Sequence, residues 1–235
     1  MSNFLRILEN EVQIAALSFM GIVYIFRLVW LFKFTSRKEK TFPEGNQRAG
    51  IAYSMMNIAM PWAMESTRKN LVFYVQFVIF HLGVATAISA TFIIPYAPSL
   101  FTIRPVVWLF QLAIGAAFAV GLMRLYRRIA NRAVRLISTP DDYLSLILMI
   151  LFFAAGFLAV PNAYQTAEWP LILFFGLTAF FLVYVPFSKI CHYLYYPFTR
   201  FFLGRSMGHR GSFPVRRSSE RRPEAMTGKE NSIAP

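Results

Sequence analysis

LVFYVQFVIFHLGVATAISATFIIP, residues 71–95, contains one histidine, His81, and no Lys, Arg, Asp or Glu. About 20 apolar residues rising 1.5 Å each cross the hydrocarbon of a bilayer, so this stretch is long enough to span one. It is continuously apolar rather than alternating, which predicts a helix and not a barrel strand. Four further stretches read the same way, at 12–32, 105–123, 143–160 and 170–195. The expected fold class is therefore all-α, an integral membrane bundle of five transmembrane helices. Composition agrees, because 57% of the 235 residues are hydrophobic, 15% are charged and Phe occurs 25 times. A water-soluble domain of this size cannot bury that much apolar surface.

The charge pattern orients the spans. Lys and Arg number seven in 33–69, five in 124–135 and nine in 189–229, whereas the remaining connections hold only Arg6 and Arg104. The positive-inside rule then places the N-terminus outside and the C-terminus in the cytoplasm. The net charge of +13 is divided among connections between apolar runs. Such a distribution suits anionic lipid and membrane topology rather than nucleic acid. The first span is long and ends in basic residues without a small-residue cleavage site, so it reads as a span and not a cleaved signal. Residues 51–64 (IAYSMMNIAMPWAM) are too short to cross. They are expected either to lie at the interface, with Trp62 at head-group depth, or to form a cytoplasmic loop that docks on a partner. Residues 1–203 are expected to form the membrane domain and 204–235 a disordered basic tail.

Few side chains in the spans can carry chemistry. His81 and His192 are both expected at membrane depth, where ionisable groups are costly and usually functional. They are candidate axial ligands of a haem iron, which needs one imidazole from each side of the porphyrin. The alternative is hydrogen bonding between helices. On the helix face of His81 stand Phe77, Val78, Val84, Ala85 and Ile88, a dry wall for a flat ring; Gly83 points away and is expected to allow close helix packing. Counted along straight helices, His81 lies ~15 Å from residue 71 and His192 ~33 Å from residue 170. The two levels agree only if the second helix begins within the cytoplasm or tilts. Arg27 and Lys189 are candidate partners of haem propionates, or else snorkel to phosphates. The single Cys191 precludes an internal disulfide, and any iron–sulfur cluster would belong to another subunit.

Three stretches taken together, FHLG at 80–83, TPDDYLSLILMILFFAAG at 139–156 and PFSKICHYLYYPFTR at 186–200, give the chain its resemblance to a known family. In their order and topology it resembles the gamma (cytochrome b) subunit of respiratory nitrate reductases and the related membrane subunits of heterodisulfide-reductase-like complexes. The resemblance implies an inner (plasma) membrane, multi-pass electron-transfer subunit that is not catalytic alone. It would carry haem b, exchange electrons with quinone, and serve cytoplasmic iron–sulfur and catalytic subunits. Nitrate reductase members hold two haems. Here only the pair matching His81 and His192 is present, with no histidine near Thr91 or Phe174, so one haem b is expected, on the cytoplasmic side. Arg127, Arg128 and Arg132 are expected to form the docking surface for the partner. Two other classes remain beside this one. The first is a haem-free membrane anchor or assembly subunit. The second is a transporter, although Gln76 and Gln111 are among few polar groups available for a pathway.

Overall fold

A computed structural model of the chain describes residues 1–33, 40–60 and 68–215. The regular elements among them are helices α1 (Asn3–Glu9), α2 (Glu11–Lys33), α3 (Gln47–Ala59), α4 (Leu71–Tyr96), α5 (Arg104–Ala130), α6 (Arg132–Leu136), α7 (Pro140–Ala159), α8 (Trp169–Tyr184) and α9 (His192–His209). Short 3-10 turns occupy Pro98–Thr102, Val185–Phe187 and Lys189–Cys191. Five stretches are long and apolar enough to cross a membrane: Asn3–Lys33, Leu71–Tyr96, Arg104–Ala130, Pro140–Ala159 and Trp169–Phe187. The chain is thus an all-α, multi-pass membrane protein, as residues 71–95 and their four counterparts predict.

Local chemistry sets the helix ends. The Ser2 hydroxyl caps α1 by accepting from the Leu5 N–H at 3.2 Å. Pro140 sits in the first turn of α7, and the Asp142 carboxylate accepts from the Thr139 backbone N–H at 2.8 Å. Both Asp141 and Asp142 complement the dipole at that end. On the loop before α8, Glu168 takes hydrogen bonds from the Ser2 hydroxyl and backbone N–H, which hold its carboxyl below the usual range.

The fifth span departs from expectation. It is not one helix over 170–195: α8 stops at Tyr184, and Ser188 is extended, with φ −100° and ψ 170°. Pro186 explains the stop, because it has no N–H for the preceding turn and its ring crowds that turn's carbonyl. The Ser188 hydroxyl then accepts from the Ile190 N–H at 3.2 Å, starting a new turn that leads into α9. His192 therefore opens a separate helix rather than closing the fifth span.

Two compact units divide the chain, Met1–Ser36 with Lys69–Tyr193, and Arg37–Arg68 with Leu194–Pro235.

In the first unit the helix contacts run α4 on α5, α5 on α7, α7 on α8 and α8 on α2, leaving α4 and α2 at the two ends of the series. Small residues let α4 and α5 approach closely. A Cβ at Gly83 would collide with the Ala117 methyl and stand 3.1 Å from the Ala113 carbonyl oxygen, so Gly83 has the packing role expected of it. Between α7 and α8 the fill is aromatic, with Phe152 stacked on Phe174 at 5.2 Å and the Phe174 edge set against Gly156. On the end helix α2 only Ala16 is buried, and Ile14, Ile22, Ile25, Phe26, Trp30 and Phe32 are exposed, a surface suited to lipid.

The second unit is a helix pair. Gly50 of α3 meets Gly204 and Gly208 of α9 so closely that a Cβ at any of them would strike backbone. Ser54 completes the seam: its hydroxyl donates to the Arg200 carbonyl at 2.7 Å, and the Arg200 guanidinium donates back to the Ser54 carbonyl at 3.0 and 3.1 Å. Residues 204–209 are accordingly helix and not disordered tail, because their glycines are contact positions rather than flexible ones. His209 is correspondingly buried, with 7% of its surface exposed. Residues 51–59 belong to α3, whereas Trp62 and residues 216–235 of the expected tail lie outside the described residues.

Candidate functional site

His81 stands midway along α4 and His192 at the first position of α9. Their ring centroids are 6.4 Å apart and the ring planes cross at 82°. The straight-helix count put these residues at different depths, but the turns over 185–191 redirect the chain and the two rings meet at one level. Both residues are exposed in the protein.

Each imidazole is held through the same nitrogen. The His81 Nδ1–H donates to the Phe77 carbonyl at 2.8 Å, and the His192 Nδ1–H to the Lys189 carbonyl at 3.2 Å. A carbonyl can only accept, so both Nδ1 atoms carry a hydrogen, and in the neutral ring this leaves Nε2 as the atom with the lone pair. This is the tautomer and orientation that a metal-ligating histidine takes when a backbone carbonyl fixes its other nitrogen.

The spacing suits a shared metal. Metal–imidazole bonds of about 2 Å, with each ring centre about 1 Å behind its nitrogen, put two axial ligands about 6 Å apart between centroids. Crossed ring planes are compatible with that arrangement, since each plane needs only to contain the metal–nitrogen axis. Among the described residues no cluster of three or more His, Cys, Asp or Glu side chains could hold a metal ion. Two imidazoles are the pair of axial donors that a haem iron takes, one on each side of its macrocycle. The residues present therefore fit a haem. Phe77, one residue of the expected wall, lies on His81 at 4.0 Å between ring centres, and Phe80, which is not part of that expectation, stands edge-on to it at 6.0 Å.

The cations around the pair are arranged differently from the expectation. The Lys189 ammonium donates to Asp142 Oδ1 at 3.1 Å and to the Thr139 hydroxyl at 2.8 Å, and so braces the start of α7. Arg27 lies over the Phe187 ring at 5.7 Å. The cation near His81 is Arg124 of α5, within electrostatic range of that imidazole and stacked over Phe80 at 5.1 Å. Arg124 is half-buried and has no acidic partner among the described residues. Sequence reading counted it only among the charges that set topology. Its position, about one turn inside the basic cluster on an apolar helix, was the available signal.

Of the three arginines expected at a docking surface, Arg127 and Arg132 are exposed. Arg127 is steadied over the Phe73 ring at 4.1 Å. Arg128 has a structural task instead, donating to the Ser138 hydroxyl at 2.7 Å and standing 3.6 Å from Asp142. No family model, curated protein or solved structure matches the chain.

Proposed function

We propose that the chain is the membrane haem b subunit of an oxidoreductase complex in the inner (plasma) membrane, with its N-terminus outside and its C-terminus in the cytoplasm. It relays electrons between the quinone pool and cytoplasmic iron–sulfur and catalytic subunits, and is not catalytic alone. The observation that carries this reading is the His81–His192 pair, two imidazoles 6.4 Å apart with both Nδ1 atoms fixed by backbone carbonyls.

His81 and His192 would be the axial ligands. Bound there, haem supplies a one-electron couple at membrane depth. The chain's own residues do the rest. The Phe77 and Lys189 carbonyls hold the imidazoles in one tautomer, Phe77 and Phe80 keep the His81 side dry, and Arg124 is the cation suited to a carboxylate edge. That last role passes from Lys189, whose charge Asp142 already balances. Arg127 and Arg132 present positive charge on the basic connection that topology assigns to the cytoplasm, where an acidic partner surface would be steered to them.

The absorption spectrum of the purified chain tests this reading. Dithionite reduction should give the sharp bands of a low-spin b-type haem; a chain that folds and carries none is a haem-free anchor. Reversing the charge of Arg127 and Arg132 should weaken attachment of the cytoplasmic partner without altering that spectrum.

A further inference from the structure

The second unit is built inside out for a water-soluble helix pair. Its buried positions among the described residues are small or polar: Gly50, Ser54 and Asn57 of α3, and Gly204, Gly208 and His209 of α9. Its large apolar side chains face outward instead. On α3, Ala52, Met55, Met56 and Ala59 are all exposed, and their spacing of three and four makes one stripe on the side opposite the seam. On α9, Tyr196, Phe201 and Phe202 are exposed as well. A helix pair in water buries such residues and turns its polar ones out.

The seam matches the packing of helices in lipid. There no hydrophobic force draws helices together, and they associate through close backbone approach at small residues and through interhelical hydrogen bonds. Gly204 and Gly208, four apart on α9, stand against Gly50 and Ser54, four apart on α3. The Ser54 hydroxyl and the Arg200 guanidinium each donate to the other residue's backbone carbonyl across that seam. Yet α3, with 13 residues, is only about 20 Å long and cannot cross roughly 30 Å of hydrocarbon.

Two further observations choose lipid over a soluble protein as the cover. Four residues, 188–191, separate the span Trp169–Phe187 from α9, a tether of at most about 18 Å that keeps the start of α9 at the bilayer. The charge is complementary to anionic head groups too. The helices run antiparallel, with Gly208 meeting Gln47 and Arg200 meeting Ser54, so Arg48, Arg205 and Arg210 fall at one end. Lys40 adjoins that end beside Thr41, which His209 holds, and Glu44 is the only acid among the described residues of the unit.

We infer that the α3–α9 pair is a monotopic membrane-surface module, with the Ala52, Met55, Met56 and Ala59 stripe and the rings of Tyr196, Phe201 and Phe202 among acyl chains, and with Lys40, Arg48, Arg205 and Arg210 at anionic head groups. Of the two places open to residues 51–59, this is the interface and not a loop docked on a partner. The inference rests on the multi-pass fold and does not depend on haem.

Collision of a nitroxide with oxygen, which concentrates in hydrocarbon, and with NiEDDA, which stays in water, tests it. The full chain with Cys191→Ser is labelled at Met56→Cys or Phe202→Cys in nanodiscs of phosphatidylcholine and phosphatidylglycerol. Both positions face out of the seam, so the labels leave the helix pair intact. Oxygen should dominate at both, as at the lipid-facing control Ile25→Cys of α2, whereas NiEDDA should dominate at Arg48→Cys. NiEDDA dominating at Met56→Cys or Phe202→Cys places the pair in water and overturns the inference. Shielding from both reagents also overturns it, because a second copy or another protein then covers the stripe. The unsubstituted chain gives a second reading: phosphatidylglycerol with a diazirine in its acyl chain should label residues 49–60 and 194–205 as well as the spans. Label confined to the spans contradicts the inference.

Discussion

At His209 both ring nitrogens are committed to the protein. Nε2–H donates to the Thr41 carbonyl at 2.9 Å, and Nδ1 accepts from the Gln47 side-chain amide at 2.9 Å. The backbone carbonyl of His209 also accepts from the Glu44 and Gly45 N–H groups at 2.9 and 3.2 Å. At His81 and His192 only Nδ1 has a hydrogen-bond partner among the described residues, each a backbone carbonyl of its own segment. His209 is a buried cross-brace that closes residues 40–47 onto α9. The other two are oriented but uncommitted, and lie close enough to act on one object. Count of satisfied ring nitrogens, rather than depth or burial, separates a histidine that holds a fold together from one prepared to ligate.

That contrast can be broken first at His209. His209→Ala removes the hydrogen bonds to the Thr41 carbonyl and the Gln47 amide, each worth ~0.5–1.5 kcal/mol net because water can reach both groups. The expected loss is ~1–3 kcal/mol from the α3–α9 helix pair, read as faster trypsin cleavage at Arg48 with an unchanged haem spectrum. Loss of haem in this variant would erase the distinction between the two kinds of histidine.

Arg124 sharpens the other side. If its guanidinium, which has no acidic partner among the described residues, complements a carboxylate of the bound group, Arg124→Gln should lower haem retention on dilution about tenfold, equivalent to ~1.4 kcal/mol. Lys189→Ala should have the smallest effect, under ~1 kcal/mol in thermal unfolding, because its pair with Asp142 is solvent-exposed and Arg128 remains beside the same carboxylate. A large haem loss with Lys189→Ala and none with Arg124→Gln would restore the assignment made from spacing alone.

The spans were legible because lipid imposes one rule, unbroken apolarity over a fixed length, and residues 71–95 state it without ambiguity. His81 and His192 could be singled out for the same reason, as ionisable groups where few are tolerated. Three features were not legible. Pro186 lies within a continuous apolar run, and apolarity does not report whether the chain continues straight or turns. Lys189 and Asp142 are 47 positions apart, so their pairing is a product of tertiary packing. Gly204 and Gly208 have low helix propensity and adjoin a polar, basic tail, so composition reads them as coil; their value is the close approach to Gly50 that only a partner helix reveals.

The most direct test of the central claim is the haem content and reduced spectrum of His192→Ala beside the unsubstituted chain. Imidazole Nε2 atoms are the only ligands assigned to the iron, so the unsubstituted chain should carry one haem b by pyridine haemochrome assay. His192→Ala should lose the low-spin bands and release the haem on purification, while its far-ultraviolet circular dichroism stays helical. A His192→Ala chain that retains one haem with an unaltered low-spin b-type spectrum would contradict the account.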